Sequence, residues 1–251
     1  MPKYSHDTVV PYQNSELSKK EQVAGMFDKI AFRYDLLNRF LSGGIDVYWR
    51  KKAIYNLKLL QPKTILDVAT GTADVAIMSW KYLKPKKIIG IDISQGMLHL
   101  GQEKIAKLLL SNHIELRQGD GEAISFPDNT FDAVTVAFGV RNFQNLEQGL
   151  SEMFRVLNPG GKIVILEFSK PKQGFFKGLY NLYMKVVCPG VGKWLTKNRE
   201  AYQYLHNSVK AFPEGETFLH ILQQVGFSET SLKRLSLGIC TIYCGRKKPG
   251  L

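Results

Sequence analysis

The chain has 251 residues, 44% of them hydrophobic, a formal net charge of +12 and a sequence pI of about 9.5. That length permits one sizeable α/β domain with additions, or two small ones. The positive excess suits nucleic acid, an anionic membrane surface or an acidic ligand without choosing among them. Cys188, Cys240 and Cys244 form no C-x-x-C pair. This argues against a disulfide framework and for a reducing compartment. Five scattered histidines lack metal-ligand spacing. No leader-like apolar core is expected at the N-terminus, and no run of 18 apolar residues suggests a membrane span.

Residues 1–17 read as a loose arm with little to bury. Ser18, with Glu21 in capping-box register, opens a helix on which Val23, Phe27, Ile30, Ala31, Tyr34 and Leu37 recur at helical spacing. Ser42-Gly43-Gly44 stops it. A second helix begins near Asp46, carries Trp49, Ala53, Ile54 and Leu57, and ends at Gln61-Pro62.

The stretch Thr64–Asp74, TILDVATGTAD, is the one around which the rest of the chain is organised. Ile65, Leu66, Val68 and Ala69 make a short buried strand with Asp67 near its end. Thr70-Gly71-Thr72-Ala73 forms a tight turn, and Gly71 lets a ligand approach the backbone. A ligand beyond the carboxyl end of this strand lies at the switch point of an open α/β sheet. The glycines of a dinucleotide fingerprint, G-x-G-x-x-G, are missing. An acid on the strand suits an amine instead, such as the methionine end of S-adenosyl-L-methionine. A helix over 75–82 comes next.

The second strand, KIIGID, ends in Asp92, where a carboxylate can accept both hydroxyls of a ribose. Ser94 caps a helix to about Leu110. A third strand spans 113–118, with Gly119-Asp120-Gly121 as its turn, and FDAVTVAF (131–138) is the fourth. A helix over 145–157 closes on Asn158-Pro159-Gly160-Gly161, and KIVILEF (162–168) is the fifth strand. Residues 169–212 read as an inserted helical lid, rich in aromatics. From Phe168 to Arg199 the chain has seven basic residues and no acidic one. A helix over 214–225 precedes two last strands, 227–235 and 238–245, paired as a hairpin at the sheet edge. The fold class is α/β: a doubly wound, mostly parallel seven-stranded sheet. Residues 18–251 make one domain, with 18–62 as N-terminal helices.

An acid-then-glycine first turn, acids ending strands two and three, and Pro-Gly-Gly before strand five resemble the class I S-adenosylmethionine-dependent methyltransferases. The resemblance implies that Asp67, Gly71 and Thr72 hold the methionine end, Asp92 the ribose, and Asp120 with the Gly121 N–H the adenine edge. Two longer stretches narrow it. FDKIAFRYDLLNRFLSGGIDVYWRKK (27–52) and RVLNPGGKIVILEFSKP (155–171) resemble the two signatures of the ubiquinone/menaquinone biosynthesis C-methyltransferases. FPDNTFDAV and FGVRNF lie between them and are also typical of that family. The chain departs from the pattern at Leu37, Asp46, Asn158 and Ala137, and Thr70 and Ala73 stand where glycines are usual.

The resemblance implies C-methylation of a reduced, polyprenylated quinone. A phenolic diol that loses a proton becomes nucleophilic at ring carbon, so the protein supplies orientation, dryness and help with the proton. Arg141 and Asn142 come after strand four at the cofactor edge. Arginine stays protonated, so Arg141 is not an ordinary base but a candidate to stabilise the phenolate or hold a water that takes the proton, or only a helix-start arginine solvating its own loop. Asp46 is a candidate base or hydrogen-bond partner, or only a helix cap. Tyr34 and Trp49 are candidates for the ring pocket. The basic, aromatic lid suits a lipid tail and a peripheral contact with an anionic membrane, which places the protein in the cytoplasm at the inner face of the cell membrane. Nucleic-acid methylation is the competing reading, but no Asn-Pro-Pro-Tyr-type motif or Pro-Cys dipeptide stands after strand four. Naphthoquinol and benzoquinol substrates are not separated, and a homo-oligomer stays open.

Overall fold

A computed structural model describes residues 4–171 and 199–249. Its centre is a seven-stranded sheet made of β1 (Thr64–Val68), β2 (Lys87–Asp92), β3 (Ile114–Gln118), β4 (Phe131–Ala137), β5 (Leu157–Phe168), β6 (Ser228–Leu235) and β7 (Cys240–Arg246). Their order across the sheet is β3-β2-β1-β4-β5-β7-β6. The first five are parallel, and β7 pairs antiparallel with both β5 and β6. The strand order reverses beside β1, so the carboxyl ends of β1, β2 and β4 frame a crevice.

Seven α-helices are described: α1 (Lys19–Ser42), α2 (Ile45–Tyr55), α3 (Asp74–Leu83), α4 (Gln95–Lys107), α5 (Leu146–Val156), α6 (Arg199–Ala211) and α7 (Glu216–Val225). Helices cover both faces of the sheet. Leu66, Val134, Ile163 and Tyr243 anchor the core on one side with α5 and α7. Ile65, Ile88, Val164 and Ile242 anchor the other with α2, α3 and α4. Strands buried on both faces read as continuous apolar runs, which is why β1, β4 and β5 are legible as they are. None of the described helices is long and apolar enough to cross a membrane.

Ser18 caps α1 as its capping box predicts: its hydroxyl accepts from the Glu21 N–H, and Glu21 accepts from the Ser18 N–H. The helix ends at Gly43, whose φ of +57° is the left-handed geometry glycine adopts at low cost.

Two expectations need correction. Of the arm expected over 1–17, residues 4–8 are not loose. A 3-10 turn at Ser5–Thr8 buries His6 completely, the Tyr4 hydroxyl donates to Glu147 at 2.5 Å, and the Lys19 ammonium donates to the His6 carbonyl at 2.7 Å. These partners are distant in sequence, so local composition does not reveal them. The Pro-Gly-Gly stretch is not a closing loop but the start of β5. Its register against β4 slips between Phe131 and Ala133, and Gly160 takes a φ of +82°.

The lid expected over 169–212 lies mostly on residues 172–198, outside the described residues. The described part includes α6, whose Ala201 and Tyr204 pack with Val23 and Met26 of α1.

Candidate active site

The crevice is a cleft with about 660 Å³ of empty space, open to solvent. Its polar end comes from the β2 and β3 termini (Asp92, Gly119, Asp120, Gly121) and the turn after β1 (Gly71). Its apolar wall comes from Val23, Phe27 and Tyr34 of α1 and from Ala137, Phe138 and Phe143 at the end of β4 and beyond it. A smaller pocket shares Tyr34, Ala69, Gly71 and Ala137 with the cleft and adds Asp67, Thr72, Asp35 and Arg50.

Asp92 stands where β2 leaves the sheet. Its Oδ2 accepts the Gly71 N–H at 2.8 Å and its Oδ1 accepts the Ser94 N–H at 2.9 Å. Burial raises its pKa, and these two N–H bonds oppose the rise. Each carboxylate oxygen keeps acceptor capacity for a further donor. Gly71 has a φ of +55° and open space where a Cβ would stand, so its turn leaves room for a ligand.

Asp67 is buried in the floor of the smaller pocket. Its oxygens accept the hydroxyls of Thr70 and Thr135, each at 2.6 Å. Burial pushes its pKa up to about 6 against the pull of those hydroxyls. Thr70, in place of a glycine, thus acts as a hydrogen-bond partner for the acid. Thr72 is buried beside it. Its hydroxyl donates to Asp35 of α1 at 2.6 Å and accepts from Lys104 of α4 at 2.9 Å.

Asp120 accepts the Glu122 N–H on one oxygen at 2.9 Å and pairs with the Lys20 ammonium on the other. Gly121 is needed for packing: a Cβ there would lie 2.8 Å from Val68 Cγ1 and 2.9 Å from Phe143 Cζ. Ile93, Met97 and Phe143 line the same end of the cleft with apolar surface.

The candidates for chemistry are placed differently from one another. Asn142 lines the cleft, its Oδ1 accepting the Tyr204 hydroxyl at 3.1 Å. Arg141 does not line it. Its guanidinium is buried against Glu167 at 2.9 Å and also donates to the Phe138 carbonyl. Asp46 is likewise buried away from the cleft, accepting from Arg39, Arg50 and the Ser42 hydroxyl, the last at 2.8 Å. Buried, held by two arginines and absent from the cleft lining, it is not placed to act as a base there, and it is not a simple cap. Tyr34 lines the cleft, whereas Trp49 packs in the core on Phe138 and Phe168 and donates to Ser236 at 2.8 Å.

Lys20, Ile93, Met97 and Phe143 also line the cleft, and the linear sequence does not mark them as site residues. The apolar residue directly after the ribose acid, Ile93, is the one signal available. Lys20 meets Asp120 from 100 positions away, and nothing in its own neighbourhood marks it.

The residues present fit S-adenosyl-L-methionine: an acceptor for a ribose diol, an apolar slot ending in an acid and a backbone N–H for an adenine edge, and a buried acid beside an open glycine turn. Fold and cleft together define a class I S-adenosylmethionine-dependent methyltransferase. A solved structure of a SAM-dependent methyltransferase from Thermotoga maritima superposes with a TM-score of 0.63 at 18% identity, over 90% of this chain and 99% of that one.

The family is narrower still. The model of the ubiE/COQ5 methyltransferase family matches residues 15–247, and the chain belongs to that family. It is 49% identical to a demethylmenaquinone methyltransferase of Bacteroides fragilis, over 97% of this chain and 99% of the relative. It is 46% identical to the ubiquinone/menaquinone biosynthesis C-methyltransferase UbiE of Geobacter sulfurreducens, over 91% of this chain and 90% of the relative.

Proposed function

We propose that this methyltransferase converts demethylmenaquinol to menaquinol, placing a methyl group on the ring carbon of a reduced, polyprenylated naphthoquinone. The observation that carries the reading is the near full-length likeness to the demethylmenaquinone methyltransferase of Bacteroides fragilis. The two-sided cleft supports it, with acids at one end and an aromatic wall at the other.

S-adenosyl-L-methionine supplies an electrophilic methyl group when bound. Asp92 holds the ribose hydroxyls, Asp120 and the Gly121 N–H hold the adenine edge, and Asp67, Gly71 and Thr72 surround the amino-acid end. Phe27, Tyr34 and Phe138 keep the quinol ring dry and in line with the methyl. In net terms, the donor's sulfur–methyl bond breaks with its electron pair left on sulfur, a ring C–H becomes C–CH3, S-adenosylhomocysteine leaves and one proton passes to solvent. The Asn142 amide stabilises the phenolate oxygen as a donor from the cleft wall.

Arg141 acts through the backbone: by gripping Phe138 and Glu167 it holds the 3-10 turn Val140–Asn142 that presents Asn142. Asp46 acts at one remove too, tying the end of α1 to α2 so that Tyr34 faces the cleft. The prenyl tail and the positive charge suit a substrate drawn from an anionic leaflet, where each lysine near the surface contributes about 1 kcal/mol.

The test supplies purified protein with labelled S-adenosyl-L-methionine and, separately, demethylmenaquinol, a polyprenyl methoxybenzoquinol and bulk RNA. Label in the naphthoquinol supports the proposal. Label only in the benzoquinol moves the substrate to ubiquinone biosynthesis, and label in RNA overturns the reading.

A further inference from the structure

Helix α1 has two unlike faces. One lines the cleft with Val23, Phe27 and Tyr34. The other presents Phe32, Leu36 and Phe40, which are 88%, 59% and 60% exposed. Their four-residue spacing keeps them in one stripe along the helix. Ile45, Val47 and Tyr48, each exposed by more than a third, come directly after the Gly43-Gly44 turn. A soluble monomer rarely exposes so many large apolar side chains in succession.

The charges around this stripe are sorted by sign. Between residues 28 and 55 the carboxylates are Asp28, Asp35 and Asp46; Asp46 is buried, Asp35 half-buried, and Asp28, though exposed, is engaged by partners at the start of α4. Asp28 accepts from Ser94 and Gly96, Asp35 from Thr72, and Asp46 from two arginines. The basic residues Lys29, Arg33 and Lys52 stay on the exposed side. The outward face is therefore apolar with a border in which exposed cations outnumber the single exposed carboxylate, Asp28, the pattern of a helix that lies in a lipid interface.

We propose that this face of α1, with the start of α2, docks on an anionic phospholipid bilayer. The inference deepens the proposed function and rests on it for the source of the substrate: one helix, roughly 10 Å thick, then separates the bilayer from the cleft. A second copy is a poorer occupant, because a two-fold contact through this face brings like charges together. The stretch 172–198 is a poorer occupant for the same reason, carrying lysines and no acid.

The test compares the intact protein with the F32S/L36S/F40S variant in sedimentation with vesicles of phosphatidylcholine alone or mixed with phosphatidylglycerol. Wild type is expected to bind the mixed vesicles and not the neutral ones. The variant is expected to lose roughly tenfold or more in partitioning as its bilayer-facing side chains are removed. Affinity for S-adenosylhomocysteine and methyl transfer to a short-tailed, water-soluble quinol are measured without vesicles and should be unchanged.

Equal vesicle binding by variant and wild type overturns the proposal, as does no binding by wild type. A wild-type dimer that the substitutions dissociate overturns it in favour of a second copy. Loss of soluble-quinol activity in the variant alone overturns it by making the stripe part of the catalytic fold. Failure of both proteins to methylate any quinol strikes the proposed function instead, while vesicle binding still reports on this face.

Discussion

The Gly71 N–H and the Asp92 carboxylate meet at 2.8 Å, joining the turn after β1 to the end of β2. One acid thus organises the glycine turn and offers acceptors to a ribose. Hydrogen bonds to charged groups contribute about 1.5–3 kcal/mol each. Replacing Asp92→Asn should therefore weaken S-adenosylhomocysteine binding by at least roughly tenfold in calorimetry, with the fold retained. Unchanged affinity would remove Asp92 from the site.

Arg141 and Glu167 form a buried pair, and burial raises the Glu167 pKa against the pull of the arginine. Removing one partner strands the other in the core, at a cost of about 3–5 kcal/mol. Arg141→Ala should lower the melting temperature sharply. A variant that lost only turnover, with full stability, would return Arg141 to a direct role in the cleft.

Gly121→Ala places a methyl group against Val68 and Phe143. Overpacking of this kind costs about 1–3 kcal/mol. The expected result is a loss of stability of that order together with a loss of cofactor affinity, whereas Gly71→Ala meets no protein atom and acts through the strain of its φ of +55° and through the room it takes from the ligand. Melting curves with and without S-adenosylhomocysteine separate the two effects.

The pKa of Asp67 rises on folding from an ordinary aspartate value to about 6. Between those two values the folded state binds more protons than the unfolded state. This group's contribution to stability is therefore present below about pH 4 and lost as pH rises through about 6. Denaturant titrations of wild type and Asp67→Asn across that window should show wild type losing stability relative to the variant as pH increases. A flat difference would contradict the assignment.

Much of this architecture is legible in the chain. The apolar runs of β1, β4 and β5 and the acids at the ends of β1, β2 and β3 are local signals, and their alternation with helices fixes which sheet edge they share. The illegible part depends on pairing across the fold. Asp46 and Arg141 look like reagents in a linear reading because both sit in a family-like stretch beside the site. Arg39 and Arg50, seven and four residues from Asp46, close on its Oδ2 only once α1 and α2 meet, and Glu167, 26 residues on, draws the Arg141 guanidinium into the core. The turn around His6 looks polar and loose in the sequence because the pocket that buries it is built from distant chain, Phe212 among it.

The most direct test of the central claim is the structure of the protein soaked or co-crystallised with S-adenosylhomocysteine. The account predicts the ribose on Asp92, the adenine edge at Asp120 and Gly121, and the sulfur directed toward Phe138 and Asn142. A ligand seated elsewhere, or a crevice that takes up no adenosyl group at saturating concentration, would contradict it.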